Sequence, residues 1–160
     1  MSTYGYCRIS TAKQSIDRQI RNIKAEYPTA HIVQEAYTGT SIFRPEWLKL
    51  YRILKSGDMV VFDSVSRMSR NAEEGFALYE DLYHKGIRLV FLKEHHIDTE
   101  TYKKALSGSI AMTGTNVDFI LKGINEYLMA LAKEQIKLAF EQSEKEVADL
   151  HQRTREGLLT

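Results

Sequence analysis

The sequence predicts an α/β fold in which a mostly parallel sheet is flanked by helices and followed by a long C-terminal helix. Strand-like and helix-like patterns alternate over residues 3–92, which is typical of a sheet with right-handed crossovers. Residues 59–62 (MVVF) form a continuous apolar run, the pattern of a parallel strand covered on both faces. From residue 117 the apolar residues repeat every 3.5 positions, which predicts a long helix.

The first strand is predicted over residues 3–9. The helix after it is expected over residues 17–26, because Ile16, Ile20 and Ile23 lie at steps of four and three and form one inward stripe. Such a stripe would pack on the sheet beside the first strand.

The second strand is predicted over residues 31–37, where polar and apolar residues alternate weakly. A polar, glycine-containing loop over residues 38–44 follows and is expected to be mobile. Pro45 suits the first turn of a helix. The strand at residues 59–62 is the third, and it is bounded by Gly57.

A helix over residues 73–85 closes at Gly86, and residues 87–92 predict a fourth, buried strand. The pattern then dissolves over residues 94–114 into loops or short helical pieces. Two adjacent histidines in this stretch, His95 and His96, are not expected to bind metal, because neighbouring side chains project in different directions.

The C-terminal helix is predicted over about residues 116–140, with a second helical segment over 141–155 continuing it. Its apolar positions fall at steps of four and three, at residues 117, 121, 124, 128, 131 and 138. The helix could lie on its own domain or meet a second copy of the chain, and the 3.5-residue period favours self-association. We therefore divide the chain into an α/β core, residues 1–115, and a helical dimerisation or linker region, residues 116–160.

Composition limits the function classes. The chain has 160 residues and a net charge of +1, from 22 Lys and Arg against 21 Asp and Glu. Nearly balanced charge means that any contact with nucleic-acid phosphates must come from a local arginine cluster. No apolar run has the length of a membrane span, and we expect a cytoplasmic protein without a membrane partner. The single cysteine, Cys7, is expected to be buried on the core face.

The first chemical motif is residues 6–10 (YCRIS), at the end of the first strand. Alternation along a strand predicts that Tyr6, Arg8 and Ser10 share one face and that Cys7 lies on the other. A guanidinium and a hydroxyl on one face suit phosphate chemistry, because arginine binds the oxygens and serine can attack phosphorus. The alternative is that Arg8 forms a surface ion pair and Ser10 caps a turn.

The second motif is residues 66–70 (SRMSR), just after the third strand. Functional sites of open α/β sheets lie beyond the carboxyl ends of the strands, so the two motifs should meet if the first and third strands are neighbours. Arg8, Arg44, Arg67 and Arg70 would then surround one hydroxyl. We expect such a cluster of cations to be costly unless an anion normally sits among them.

In these motifs the chain resembles the serine recombinases, the family of resolvases, invertases and related DNA integrases. The residues that carry the resemblance are 6–10, Gln14, Gln19, Gly39, Arg44, Pro45, 66–70 and 152–158 (QRTREGL). The resemblance spans essentially the whole chain, and these motifs are specific when they occur together in this order.

The resemblance implies that Ser10 attacks a phosphodiester of double-stranded DNA, forms a 5′-phosphoserine link and releases a 3′ hydroxyl, and that strand exchange then reverses the attack. It also implies that Arg8, Arg67 and Arg70 activate the phosphate. Residues Gln14, Gln19, Arg44 and Ser66 are expected to support the site, and Arg153 and Arg155 are candidates for contacts with the DNA backbone. A homodimer that becomes a tetramer in the synaptic complex is expected.

The chain departs from the family pattern at three places. Ser66 stands where the usual turn has aspartate, and Gln152 stands where glutamate is common. A separate DNA-binding region normally follows the long helix, so we expect one after residue 160. The sequence does not distinguish integration, inversion and resolution.

Other function classes receive less support. The sequence has no carboxylate cluster at metal-site spacing and no P-loop, so neither a metal nor ATP nor another cofactor is expected. A flavodoxin-like nucleotide binder would need a glycine-rich loop after the first strand, and that loop is absent. The remaining alternative is a non-catalytic, DNA-associated assembly protein that retains the fold, with Ser66 marking lost cleavage.

Overall fold

The computed structural model of the chain has a four-stranded parallel sheet with the strand order β2-β1-β3-β4. The structure describes residues 1–9, 13–36, 44–69, 71–107 and 113–159. The strands are β1 (Thr3–Ile9), β2 (His31–Ala36), β3 (Met59–Phe62) and β4 (Arg88–Phe91). The predicted α/β class is therefore confirmed. The first and third strands are neighbours, which is the condition under which the two sequence motifs were expected to meet.

Helices cover both faces of the sheet. The helices are α1 (Lys13–Glu26), α2 (Pro45–Ile53), α3 (Val65–Met68), α4 (Ala72–His84), α5 (Thr99–Ser107) and α6 (Asp118–Leu159), with a short 3-10 helix at His95–Ile97. The stretch predicted as loops or short helical pieces thus contains α5. The two helical segments predicted at the C-terminus form one helix, which at 1.5 Å per residue is about 63 Å long.

Alternation along the buried strands fills two cores. On one face Tyr6 and Phe62 pack with the aromatic and aliphatic residues of α2, α4 and α6. On the other face Cys7 and Val61 pack against Ile23 of α1. The isoleucine stripe predicted for the first helix lies in this second core, as Ile16 and Ile20 also pack there.

The long helix α6 is anchored to the domain through part of its length. Ile136, Ala139 and Phe140 are buried in the larger core. Toward its beginning, apolar side chains such as Phe119 and Tyr127 are exposed, at 75% and 66% of their surface. None of the described helices is sufficiently long and apolar to span a membrane.

Candidate active site

Strand β1 extends beyond the end of its neighbour β3. Past that end, the Gln19 side chain pairs with the β1 backbone where β3 would otherwise pair. The last paired residues of the two strands are Tyr6 and Phe62, so Arg8 lies two residues further on. The Gln19 side chain accepts a hydrogen bond from the Arg8 N–H and donates one to the Arg8 carbonyl, both at 3.0 Å. Gln19 is buried on α1, and its amide pairs with the N–H and the carbonyl of Arg8, two groups that β3 does not reach.

The turn α3 follows β3 directly and is tied to the end of β1 in both directions. The Arg8 guanidinium, itself buried, donates to the Ser66 carbonyl through Nη2. In return, Arg67 donates from Nη1 to the Arg8 carbonyl at 3.2 Å. An arginine of each sequence motif therefore donates a hydrogen bond to a backbone carbonyl of the other motif.

A third guanidinium reaches the same turn from the start of α2. Arg44 precedes Pro45, and its Nη1 donates to the Met68 carbonyl at 2.6 Å and lies 3.4 Å from the Arg67 carbonyl oxygen. The structure thus brings Arg8, Arg44 and Arg67 together at the carboxyl end of the sheet, where the sequence predicted them. Planar guanidinium groups fixed in this way can bind phosphate oxygens and stabilise charge on them.

Several predicted site residues lie outside the described part of the chain. Ser10 and Arg70 are among them, and so are the side chains of Gln14, Arg153 and Arg155. Their roles stay predictions.

The Ser66 hydroxyl is paired with that of another serine. Its oxygen lies 2.7 Å from the Ser64 hydroxyl oxygen. The Ser66 carbonyl also accepts from Arg8, so Ser66 contacts the guanidinium cluster through its backbone.

Tyr6, which the alternation places on the face of Arg8, is buried, although its hydroxyl lies near the site residues Arg44 and Arg8. Tyr6 is fully buried and packs edge-on against Trp47, with ring centroids 5.2 Å apart. Burial raises the pKa of Tyr6 to about 12, although the nearby Arg44 opposes the shift. Strand alternation assigns Tyr6 and Arg8 to one face correctly, but helices cover both faces here, so that face is core at Tyr6. The predicted burial of Cys7 is confirmed, and burial raises its pKa to about 12.

Sequence reasoning missed a buried carboxylate on β2. Glu35 of β2 is 1% exposed and lies next to Arg8 in the strand register. Its Oε2 accepts the Glu46 N–H at 3.1 Å and so fixes the first turn of α2, immediately after Arg44. The available signal was a charged residue inside a predicted strand, a position where burial requires a partner.

A second missed carboxylate ends β3. Asp63 is 2% exposed, accepts a hydrogen bond from Asn22 at 2.8 Å, and lies 3.5 Å from the Lys93 ammonium. Through these contacts Asp63 links α1 and the residues after β4 to the segment that leads into the motif at residues 66–70. Within the described residues no group of three or more acidic, histidine or cysteine side chains is placed to hold a metal ion.

The sequence model of the resolvase N-terminal domain matches residues 3–159. The chain belongs to the resolvase family. The match covers the whole sheet, the arginine cluster and α6.

Named relatives agree with this assignment. The chain is 26% identical over 159 residues to the Tn21 transposon resolvase of Escherichia coli, covering 96% of this chain and 83% of that protein. It is 32% identical over 97 residues to a resolvase of Clostridium perfringens, covering 59% of this chain and 51% of that protein. A resolvase-family site-specific recombinase from Streptococcus pneumoniae, of known structure, gives a TM-score of 0.49 at 21% identity, covering 99% of this chain and 96% of that chain.

Proposed function

We propose that this resolvase-family domain is the catalytic domain of a site-specific DNA recombinase that uses Ser10 as its nucleophile. The observation that carries the proposal is the convergence of Arg8, Arg44 and Arg67 on the turn after β3, at the end of β1 where Ser10 follows in the sequence. Phosphoryl transfer is catalysed mainly by positioning and by stabilising charge on the phosphate oxygens, and these groups suit both tasks.

Each step of the proposed reaction exchanges one phosphoester bond for another. Ser10 Oγ loses its proton and bonds to phosphorus, the bond from phosphorus to the 3′ oxygen breaks, and that oxygen takes up a proton. The 5′ end is then held as a phosphoserine ester. Attack by a new 3′ hydroxyl reverses these steps and releases the serine, so no ATP is required.

The site residues have distinct roles in this proposal. Arg8, Arg67 and Arg70 activate the phosphate, with Arg44 and Gln14 in support. Gln19 acts through the backbone of Arg8. Ser66 supports the turn, and Arg153 and Arg155 contact the DNA backbone beyond the core.

The experiment traps the covalent adduct. Full-length protein is incubated with a supercoiled plasmid that carries the DNA flanking its gene, and the adduct is digested and mapped by mass spectrometry. We expect the phosphoester on Ser10 and no adduct from Ser10→Ala, while Ser56→Ala, on an exposed serine at the opposite end of β3, reacts as wild type. An adduct that persists in Ser10→Ala would refute the nucleophile. No adduct from wild type would favour the non-catalytic assembly protein.

The arginines are tested in the same assay. Arg67→Ala should lower cleavage about 10²- to 10³-fold, because it removes a charge that acts in the transition state. Arg52→Ala, on an exposed arginine at the end of α2, is the matched control and should leave cleavage unchanged. Ser66→Ala should cost much less than Arg67→Ala. Equal losses for Arg67→Ala and Arg52→Ala would contradict the proposed role.

We further propose that α6 pairs with α6 of a second copy, and that two such dimers form a tetramer when DNA sites are brought together. Apolar side chains at the predicted seam are exposed, including Val117 at 48%, Ile124 at 39% and Leu131 at 44%. A contiguous apolar surface of this kind marks an interaction site. Ile124→Lys should shift the sedimentation coefficient from dimer to monomer, and Lys122→Ala should not. A monomeric wild type at high concentration would refute the dimer.

A further inference from the structure

The start of the turn α3 is capped by a residue from a distant part of the chain. Val65 is the first residue of α3, and its N–H donates to Glu94 Oε2 at 3.0 Å. The preceding residue, Ser64, is of a type that often caps helices with its own hydroxyl. Here that hydroxyl bonds to Ser66 instead and makes no cap bond. Glu94 therefore satisfies the first N–H of α3 from outside the turn.

The backbone around Glu94 is held by the sheet. The ladder between β3 and β4 continues past the strand ends, because Leu92 donates to the Phe62 carbonyl at 3.0 Å and Lys93 donates to the Asp63 carbonyl at 3.1 Å. Glu94 then donates its own N–H to the Phe91 carbonyl at 3.1 Å. The Glu94 carboxylate thus stands on a turn whose backbone is hydrogen-bonded to the ends of β3 and β4.

The position of α3 determines the position of the guanidinium cluster. Its backbone supplies the Ser66 carbonyl that accepts from Arg8, and the Met68 carbonyl that accepts from Arg44. Its side chains include Arg67. A small shift of this four-residue turn would move all three guanidinium groups together.

We propose that Glu94 is a positioning residue for the recombination chemistry, holding α3 so that the three guanidinium groups keep their geometry. This inference rests on the proposed function. Glu94 acts by placing an acceptor oxygen within reach of the Val65 N–H. Its negative charge is not needed for this, and burial, which raises the pKa of Glu94, disfavours that charge.

Three variants of the full-length protein separate reach from charge. Glu94→Gln keeps an acceptor oxygen at the same distance, Glu94→Asp keeps the charge but is one methylene shorter, and Glu94→Ala removes both. On the supercoiled plasmid carrying the gene's flanking DNA, we expect Glu94→Gln to cleave within about threefold of wild type. Glu94→Asp and Glu94→Ala should be about 10- to 100-fold slower, the scale of a misplaced catalytic group. DNA binding in a gel-shift assay should not change.

A second readout does not depend on cleavage. In the DNA-free protein, hydrogen exchange at the Val65 amide should be faster in Glu94→Asp and Glu94→Ala than in wild type or Glu94→Gln. Glu100→Ala, on an exposed carboxylate of α5, is the control and should alter neither readout. If Glu94→Ala does not fold, the comparison of Glu94→Asp with Glu94→Gln decides the question.

The possible outcomes are distinct. Cleavage by Glu94→Asp that exceeds cleavage by Glu94→Gln would show that charge matters and would overturn the proposal, as would wild-type cleavage by Glu94→Ala. If wild type forms no adduct, the proposed function fails. In that case, faster hydrogen exchange at Val65 in Glu94→Asp and Glu94→Ala would show only that Glu94 caps α3. Without cleavage there is no chemistry for it to position, so the positioning role would also be overturned.

Discussion

Replacing Gln19 with methionine tests the claim that its amide substitutes for a missing strand. Methionine has nearly the same length and shape but cannot form the two hydrogen bonds with Arg8. The Arg8 N–H would be left buried without this acceptor, at a cost of about 1–3 kcal/mol, and loss of the second bond costs about 0.5–1.5 kcal/mol. The second cost is the smaller because the Arg8 carbonyl still accepts from Arg67. We expect a total loss of about 3 kcal/mol in the free energy of unfolding.

Urea unfolding, followed by circular dichroism at one protein concentration, measures this loss. For a chain of this size each kcal/mol lowers Tm by about 2–4 °C, so Gln19→Met should melt about 6–12 °C below wild type. Gln34→Met is the matched control, because Gln34 is exposed on β2, and it should change stability by less than about 0.5 kcal/mol. Equal stability of the two variants would refute the strand-substitution argument.

Three further predictions concern other parts of the fold. Native Cys7 should not react with a thiol reagent at neutral pH, although it should react fully after unfolding, because it is buried and its pKa is raised to about 12; rapid native labelling would contradict this. The hydrogen bond from His95 to Asp98 raises the pKa of His95, so its stabilisation is complete below about pH 6.5 and is lost as the pH rises through the folded-state pKa. Urea titrations should therefore show a larger stability loss for His95→Ala at pH 6 than at pH 9, and an equal loss would exclude the linkage. A Cβ at Gly75 would lie 2.5 Å from the Phe140 ring, so Gly75→Ala should cost about 1–3 kcal/mol through overpacking, and most of this loss should disappear in a Phe140→Leu background; additive losses would contradict the contact.

The alternation of strands and helices could be predicted because it depends on local signals, whereas the order of the strands depends on pairing between distant segments. The continuous apolar run of β3 indicates a strand covered on both faces, and the sheet places it between β1 and β4. The same signals brought Arg8 and Arg67 to one end of the sheet. Family membership agrees with the motif spacing, which was visible in the sequence alone.

What could not be predicted depends on contacts between distant residues. Tyr6 belongs to the core because Trp47 of α2 packs on it, and nothing in residues 6–10 indicates that partner. Glu35 and Glu94 are glutamates, a residue type that is usually found on the surface. Their roles follow only when tertiary structure places them against backbone N–H groups of α2 and α3.

The cost of clustering the arginines has to be revised in the light of the contacts around them. The sequence argument assumed that only an anion could offset their mutual repulsion. In the described part of the site, however, peptide carbonyls accept from Arg8, Arg44 and Arg67. Hydrogen bonds to charged donors are stronger than neutral ones, so these partners offset part of the repulsion. Charge alone therefore does not require a phosphate. The case for phosphate chemistry depends on the fixed orientation of the guanidinium groups at the end of β1, and the covalent link at Ser10 is its decisive test.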